Sequence, residues 1–348
     1  MNARLSGNTN LNADFHKCRF DSIQTLRGLA AVFVILEHIR FLNCGAFGVD
    51  IFFCISGFMI MFTTHESTEH FLRKRIIRIL PLYYLMTIGT FLLLLLFPSM
   101  FEQTSANPVF LIKSLLFIPF DMGGGILQPL MRIGWTVNCE MFFYLLFFLS
   151  CHISHKYRGL ICSLLLALPV LLNSVLSVSF APLNFYGNPV MLEFILGMIC
   201  YYAAGGIFHL REKKQFPPFT GLLSLFGALV LFASLVITKP SVNILGFRRF
   251  FLWGIPAMCI VLCFFFAGMF REMPKWSVKL GDMSFSVYLI HYYPVMFLDR
   301  MVFDFSAPSP FAVFGAVLTV LLCLLFAWVS WLLVEKHFTG GLKKIFSC

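Results

Sequence analysis

Stretches of apolar residue long enough to cross a bilayer recur along this chain, and no other feature restricts its fold so sharply. Roughly 20 apolar residues in a helix span the hydrocarbon layer, fewer where aromatic residues border it. Ten windows meet that measure, at about 24–42, 48–64, 80–98, 134–151, 159–177, 189–208, 219–237, 250–270, 284–299 and 311–334. The ninth is short and broken by Pro294. Hydrophobic residues make up 59% of the chain and charged residues 12%, beyond the balance of a soluble domain. In lipid every backbone polar group must be satisfied within its own segment. The expectation is an all-α integral membrane protein of about ten transmembrane helices.

Lysine and arginine are retained on the cytoplasmic side of a membrane protein. With both termini cytoplasmic, nineteen of the 26 cations fall inside, and only Arg40, Lys113, Arg132, Lys239, Arg248, Arg249 and Arg300 fall outside. The net charge of +10 is thus explained by topology. Nucleic-acid binding would need a soluble basic face, which the pattern lacks. Residues 1–20 read as a polar cytoplasmic lead without the apolar core of a cleavable signal, 21–335 as one transmembrane domain, and 336–348 as a basic cytoplasmic tail. The long connection at 99–133 contains "NPVFLIKSLLFIPF", too short to span, and reads as an interfacial or re-entrant piece ending in a flexible "DMGGG". Cysteines show no metal-type spacing, and no metal is expected.

The costly residues are the informative ones. Arg27 and His38 are eleven apart, about three helical turns and roughly 16 Å of rise, on one face of the first span. Arg27 alone also reads as a snorkelling anchor, and a lone His38 as a helix-to-helix hydrogen bond. Asp50, Glu140 in "WTVNCEMFFY" and Glu193 in "NPVMLEFILGM" enter their spans from the same outer side as His38. Buried ionisable groups need partners or water, so four at one level predict a shared polar cavity. His291, mid-way along the ninth window, either joins it or packs in the core. Ser56 precedes Gly57, a pair that favours close helix packing over a nucleophile's role. Trp135 suits a sugar face or an interfacial anchor.

At the other surface "HFLRKRIIRILPLYY" gathers Arg73, Lys74, Arg75 and Arg78 on a helix expected to stop at Pro81. Arg75 and Arg78, three apart, share a face. Paired guanidinium groups suit phosphates, and such a cluster also serves as a topology anchor against anionic lipid. A basic cytoplasmic port with an imidazole and carboxylates toward the far side suits a donor with a phosphorylated head and a long thin arm. Coenzyme A thioesters have that shape.

The segments "LRGLAAVFVILEH", "GVDIFFCISGF", "FLRKRIIRILPLYY", "WTVNCEMFFYLLF" and "LEFILGM", in that order, resemble the bacterial membrane-bound acyltransferase-3 family, and most closely its exopolysaccharide O-acetyltransferase branch. The resemblance covers roughly residues 20–335. It implies a multi-pass protein of the bacterial inner membrane that moves an acyl group, most often acetyl, from acetyl-CoA (acyl-CoA) to a hydroxyl of a cell-surface or lipid-linked glycan. Carried over by position, Arg27 and His38 form one motif, Asp50, Ser56 and Gly57 a second, Arg75 and Arg78 a third, and Trp135 and Glu140 a fourth. Where many members carry a second carboxylate after the glutamate, this chain has Met141. His38 is therefore expected as general base, with Glu140 or Asp50 as the neighbour that raises its basicity. A covalent acyl-imidazole relay is the sharper variant. Arg27, Arg73, Arg75 and Arg78 are expected on the donor, and Trp135, Glu193 and His291 on the acceptor. A proton-coupled transporter or flippase for a sugar or lipid-linked glycan would share the buried acids and His but gives no reason for the Arg75–Arg78 pair.

Overall fold

In the computed structural model, which describes residues 15, 20–101, 105–123, 125, 127–176, 179–214, 216–239 and 246–345, all regular structure is helical. Seven helical segments among them are long and apolar enough to cross a membrane, and Gly48–Thr63 is a shorter apolar helix. This is the build of a multi-pass membrane protein, in which each helix satisfies its own backbone. Outward faces are apolar to match: on Phe219–Thr238, Leu223 and Phe226 are 62% and 61% exposed, surface suited to lipid tails.

The elements that matter for the site are α1 (Asp21–His38), α2 (Gly48–Thr63), α3 (Phe71–Leu96), α4 (Pro108–Leu115), α5 (Trp135–Ile153), α6 (Arg158–Val175), α7 (Leu192–Lys213), α8 (Phe219–Thr238), α9 (Ile255–Gly268), α10 (Lys275–Asp282), α11 (Ser284–Ile290), α12 (Tyr292–Met301) and α13 (Pro310–Ser330). α1 lies at the centre, packed against α2, α9, α10 and α11, with Leu26, Ala30 and Ile35 wholly buried. The closest packing joins α2 to α7. A Cβ on Gly57 would sit 2.1 Å from the Phe194 carbonyl oxygen, and one on Gly197 2.1 Å from that of Cys54. Backbone thus meets backbone at this crossing, the packing role that the Ser56–Gly57 pair suggests. Gly57→Ala is expected to destabilise by about 1–3 kcal/mol through overpacking, read as a lower melting temperature in detergent.

Three prolines have three outcomes. Pro81 does not stop its helix; α3 runs straight through it, so the arginine-bearing turn and the span beyond are one element. The residue removes only one backbone donor, and neighbouring helices support the rest of the segment. Pro256 opens α9 directly after a π-helical turn, Phe250–Gly254, that accommodates the missing N–H. Pro294 cannot donate to the Ile290 carbonyl, and the helix breaks there: α11 ends at Ile290, α12 begins at Tyr292, and His291 sits at the break.

The 99–133 connection contains the short helix α4 and is tied down at several points. Tyr83 Oη donates to the Ser114 carbonyl (3.0 Å), and Ser114 Oγ accepts from the Leu130 N–H (2.8 Å). Asp121 accepts from the N–H groups of Gly123 and Gly125, whose φ angles of 119° and 79° need glycine. Of the N-terminal lead, only Phe15 and Phe20 fall among the described residues; Phe15 packs against Phe62, Phe208 and Phe265. The C-terminal tail continues helically as far as Ile345.

Candidate active site

A cavity of about 80 Å³ opens among α1, α2, α3, α5 and α11. On α5 its wall is formed by Thr136, Val137, Glu140 and Tyr144. Residues at that spacing lie on one helical face and extend about 12 Å along the axis, so the cavity is a shaft rather than a bowl. Arg75 and Arg78 line one end, Arg27 joins them from α1, and Thr136, Phe52 and Tyr288 lie along the rest. Arg75 Nη2 donates to Thr63 Oγ1 (3.0 Å), and its guanidinium lies over the rings of Tyr144 (5.4 Å) and Phe71 (5.7 Å). These contacts hold a long side chain in place without neutralising it. Arg73 is exposed and lies outside the shaft lining.

Glu140 stands in the wall of this shaft. Its Oε1 accepts from Ser56 Oγ (3.0 Å) and from the Tyr144 hydroxyl one turn further on. Ser284, fully buried, also lines the shaft, and its hydroxyl has no hydrogen-bond partner among the described residues. Nearby, Glu335 in the π-helical continuation of α13 accepts from Ser286 Oγ (2.5 Å) and the Ser286 N–H (3.1 Å), within electrostatic reach of Arg78 and Arg27.

His38 lies elsewhere, at the last position of α1 and behind the aromatic wall of the shaft. Phe52 packs edge-on against Tyr288 (6.0 Å between centroids), and Tyr288 in turn lies 5.8 Å from His291. His291 Nε2 is 3.3 Å from His38 Nδ1, with the two rings 4.9 Å apart. Ion pairs brace this end of α1 on both sides. Glu37 accepts from the N–H groups of Gly45 (2.8 Å) and Ala46 (3.1 Å) and from Lys239 Nζ (2.8 Å), which also binds Asn43. Arg40 is held by Asp299 (2.9 Å) and Asp304 (3.2 Å).

A third polar group is wholly buried between α2, α5, α7 and the turn before α9. Arg249 donates through Nε and Nη2 to both oxygens of Asp50 (2.9 and 2.8 Å), with side-chain exposures of 3% and 0%. Its guanidinium lies 5.3 Å from the Trp253 ring and 6.0 Å from that of Trp135. Glu193 is fully buried beside the pair, its side chain against Gly254.

The single polar cavity read from the sequence is therefore divided in three. Neither Glu140 nor Asp50 is the hydrogen-bonding neighbour of His38; that neighbour is His291. The cause is helical phase. Asp50, Cys54 and Gly57 follow the face of α2 that meets α7 and Arg249, Phe52 and Ser56 face the shaft, and Phe53 borders both. Trp135 and Glu193 belong with Arg249, and His291 has both ring nitrogens engaged by protein.

The profile of the acyltransferase domain of the acyltransferase-3 group matches residues 20–328, nearly the whole described chain. The chain belongs to this family. Among curated proteins, the exopolysaccharide production protein ExoZ of Rhizobium meliloti is 29% identical, across 79% of this chain and 84% of ExoZ. A Komagataeibacter xylinus protein named as a membrane-bound transacylase, BcsY, is 24% identical, across 93% of this chain and 84% of BcsY. No solved structure gives a significant match. The protein is thus an acyltransferase.

Several of its polar residues escaped the sequence reading. Tyr144 carried a usable signal, being four residues after Glu140 and so on the same face. Arg249 reads from the sequence as an outer-connection cation, although two buried acids, Asp50 and Glu193, call for a cation nearby. For Ser284 and Glu335 the local sequence carries no such signal.

Proposed function

We propose that the protein moves an acyl group, acetyl in the expected case, from cytoplasmic acyl-CoA to a hydroxyl of a cell-surface or lipid-linked polysaccharide. It would do so as a ten-span protein of the bacterial inner membrane with both termini cytoplasmic, the broken α11–α12 pair being the ninth span. The names of ExoZ and BcsY support the polysaccharide and transfer halves of this reading. The observation that carries it is the shaft: three arginines toward one end, a narrow passage along α5, and a histidine pair just past its aromatic wall. That order matches the donor, with its phosphates, its thin pantetheine arm and its thioester.

Each group then has a role. Arg75 and Arg78 bind phosphate oxygens, and Arg27 extends the positive surface inward. Glu140, fixed by Ser56 and Tyr144, balances the arginines while the shaft awaits donor. His38 takes the proton of the acceptor hydroxyl as its oxygen attacks the thioester carbonyl. The carbon–sulfur bond then breaks, and the departing thiolate recovers that proton as CoA–SH. Asp50, Arg249 and Glu193 hold α2, α7 and the turn before α9 in place, which orients Trp135 at the outer entrance of α5.

The direct test is release of free thiol from acetyl-CoA by purified protein in detergent with a polysaccharide acceptor, beside mass spectrometry of surface polysaccharide from cells with and without the gene. No thiol release and no mass difference would end this reading. Arg75→Ala and Arg78→Ala are each expected to raise KM for acetyl-CoA about 10–100-fold, the size of a lost charge-assisted hydrogen bond of about 1.5–3 kcal/mol. An unchanged KM in both would remove the phosphate role.

A further inference from the structure

We propose that His291 is a positioning residue that fixes which nitrogen of His38 does the chemistry: it holds the proton of His38 on Nδ1 and leaves Nε2 as the base. This deepens the reading above and rests on it.

The tautomers follow from which partners are available. His291 is wholly buried at the break between α11 and α12, and its Nδ1 lies 2.7 Å from the Tyr288 carbonyl oxygen and 3.2 Å from that of Val287. Carbonyl oxygens only accept, so the single proton of neutral His291 sits on Nδ1. Its Nε2 is then an acceptor, and it faces His38 Nδ1 at 3.3 Å. His38 Nδ1 is also 2.9 Å from the Val34 carbonyl oxygen. Two acceptors converge on that nitrogen, so it carries the proton, and the lone pair of His38 lies on Nε2.

The same geometry decides between the two imidazoles. His291 has neither nitrogen left for a substrate. His38 is only part-buried, and both hydrogen-bond partners found for its ring among the described residues fall on Nδ1, with Tyr292 perpendicular to the ring at 5.8 Å. His291 keeps helical backbone angles at the junction of α11 and α12 (φ −52°, ψ −33°), and its N–H still reaches the Val287 carbonyl oxygen (3.1 Å), so the ring's position is fixed by the backbone as well as by its two nitrogens.

During transfer, the acceptor's O–H bond breaks, its proton goes to His38 Nε2 and the new ester C–O bond forms as the C–S bond breaks. His38 returns the proton to the thiolate. His291 gains and loses nothing; it accepts the Nδ1–H throughout, and that hydrogen bond strengthens while His38 is cationic. Its contribution therefore falls on the chemical step rather than on donor binding.

The test uses full-length enzyme in detergent, with acetyl-CoA and a polysaccharide acceptor. Leu at position 291 removes the acceptor; Gln keeps a carbonyl oxygen able to receive the His38 proton. His291→Leu is expected to lower kcat about 10–100-fold with KM for acetyl-CoA changed less than about twofold, and His291→Gln to recover at least half of the loss on a logarithmic scale. A purely structural role predicts equal losses in the two variants, or a loss in KM, and either result overturns the proposal. If the leucine variant does not accumulate, Met replaces it on the same readout. His38→Ala separates the two levels. If it is active, the general-base reading itself fails; if it is inactive while His291→Leu matches wild type, only the role of His291 is lost.

Discussion

Replacing His38 by Ala is expected to reduce acyl transfer by at least about 10²–10⁴-fold, the usual worth of a positioned general base. The imidazole stands at the end of α1, with Glu37–Lys239 bracing it on one side and Arg40–Asp299 on the other. None of those contacts uses the His38 ring, so the variant should keep its fold. Donor binding should survive as well, because Arg27, Arg75 and Arg78 lie along the shaft on the other side of the Phe52–Tyr288 wall. Equilibrium binding of acetyl-CoA and thiol release, measured on the same preparation, separate the two effects. Lost turnover with retained binding is the expected pattern, and near-normal turnover would remove His38 from the mechanism.

The second large effect concerns stability. Arg249→Met is expected to cost about 3–5 kcal/mol, because it leaves Asp50 as an uncompensated buried charge with Glu193 beside it. Thermal unfolding in detergent reads this as a large fall in melting temperature, or as failure to accumulate. Asp50→Asn combined with Arg249→Met should recover much of the loss, since no ion then remains without its partner. A single variant as stable as wild type would mean that water or another group already neutralises Asp50.

How much of this was legible in the chain follows the range of the interactions. Apolar windows depend on neighbouring residues, and seven of the described helical segments are long and apolar enough to span, while helices such as Lys275–Asp282 lie outside any such window. Proline outcomes depend on packing as well: the helix runs on through Pro81, where the sequence predicts a stop, while the expected interruption near Pro294 is present between Ile290 and Tyr292. The Arg75–Arg78 pair was readable because both lie on one helix, and both do line the shaft. The partner of His38 was not, since His291 is 253 positions away and its approach depends on how α1 meets a broken helix. Depth in the membrane could be counted from the sequence, but the direction each side chain faces around its helix could not. Four acids and bases at one level thus looked like a single site.

The aromatic wall between the shaft and the histidine pair has an energetic meaning for the cell. If this protein spans the inner membrane as proposed, a water column from Arg75 to His38 would leak protons and dissipate the gradient that drives ATP synthesis. Phe52 and Tyr288, packed edge to face, interrupt such a column with hydrocarbon and one hydroxyl already engaged by Ile133 and Thr136. On the proposed route a thioester arm threading past them would itself fill the gap it opens, and the membrane would stay an insulator during transfer.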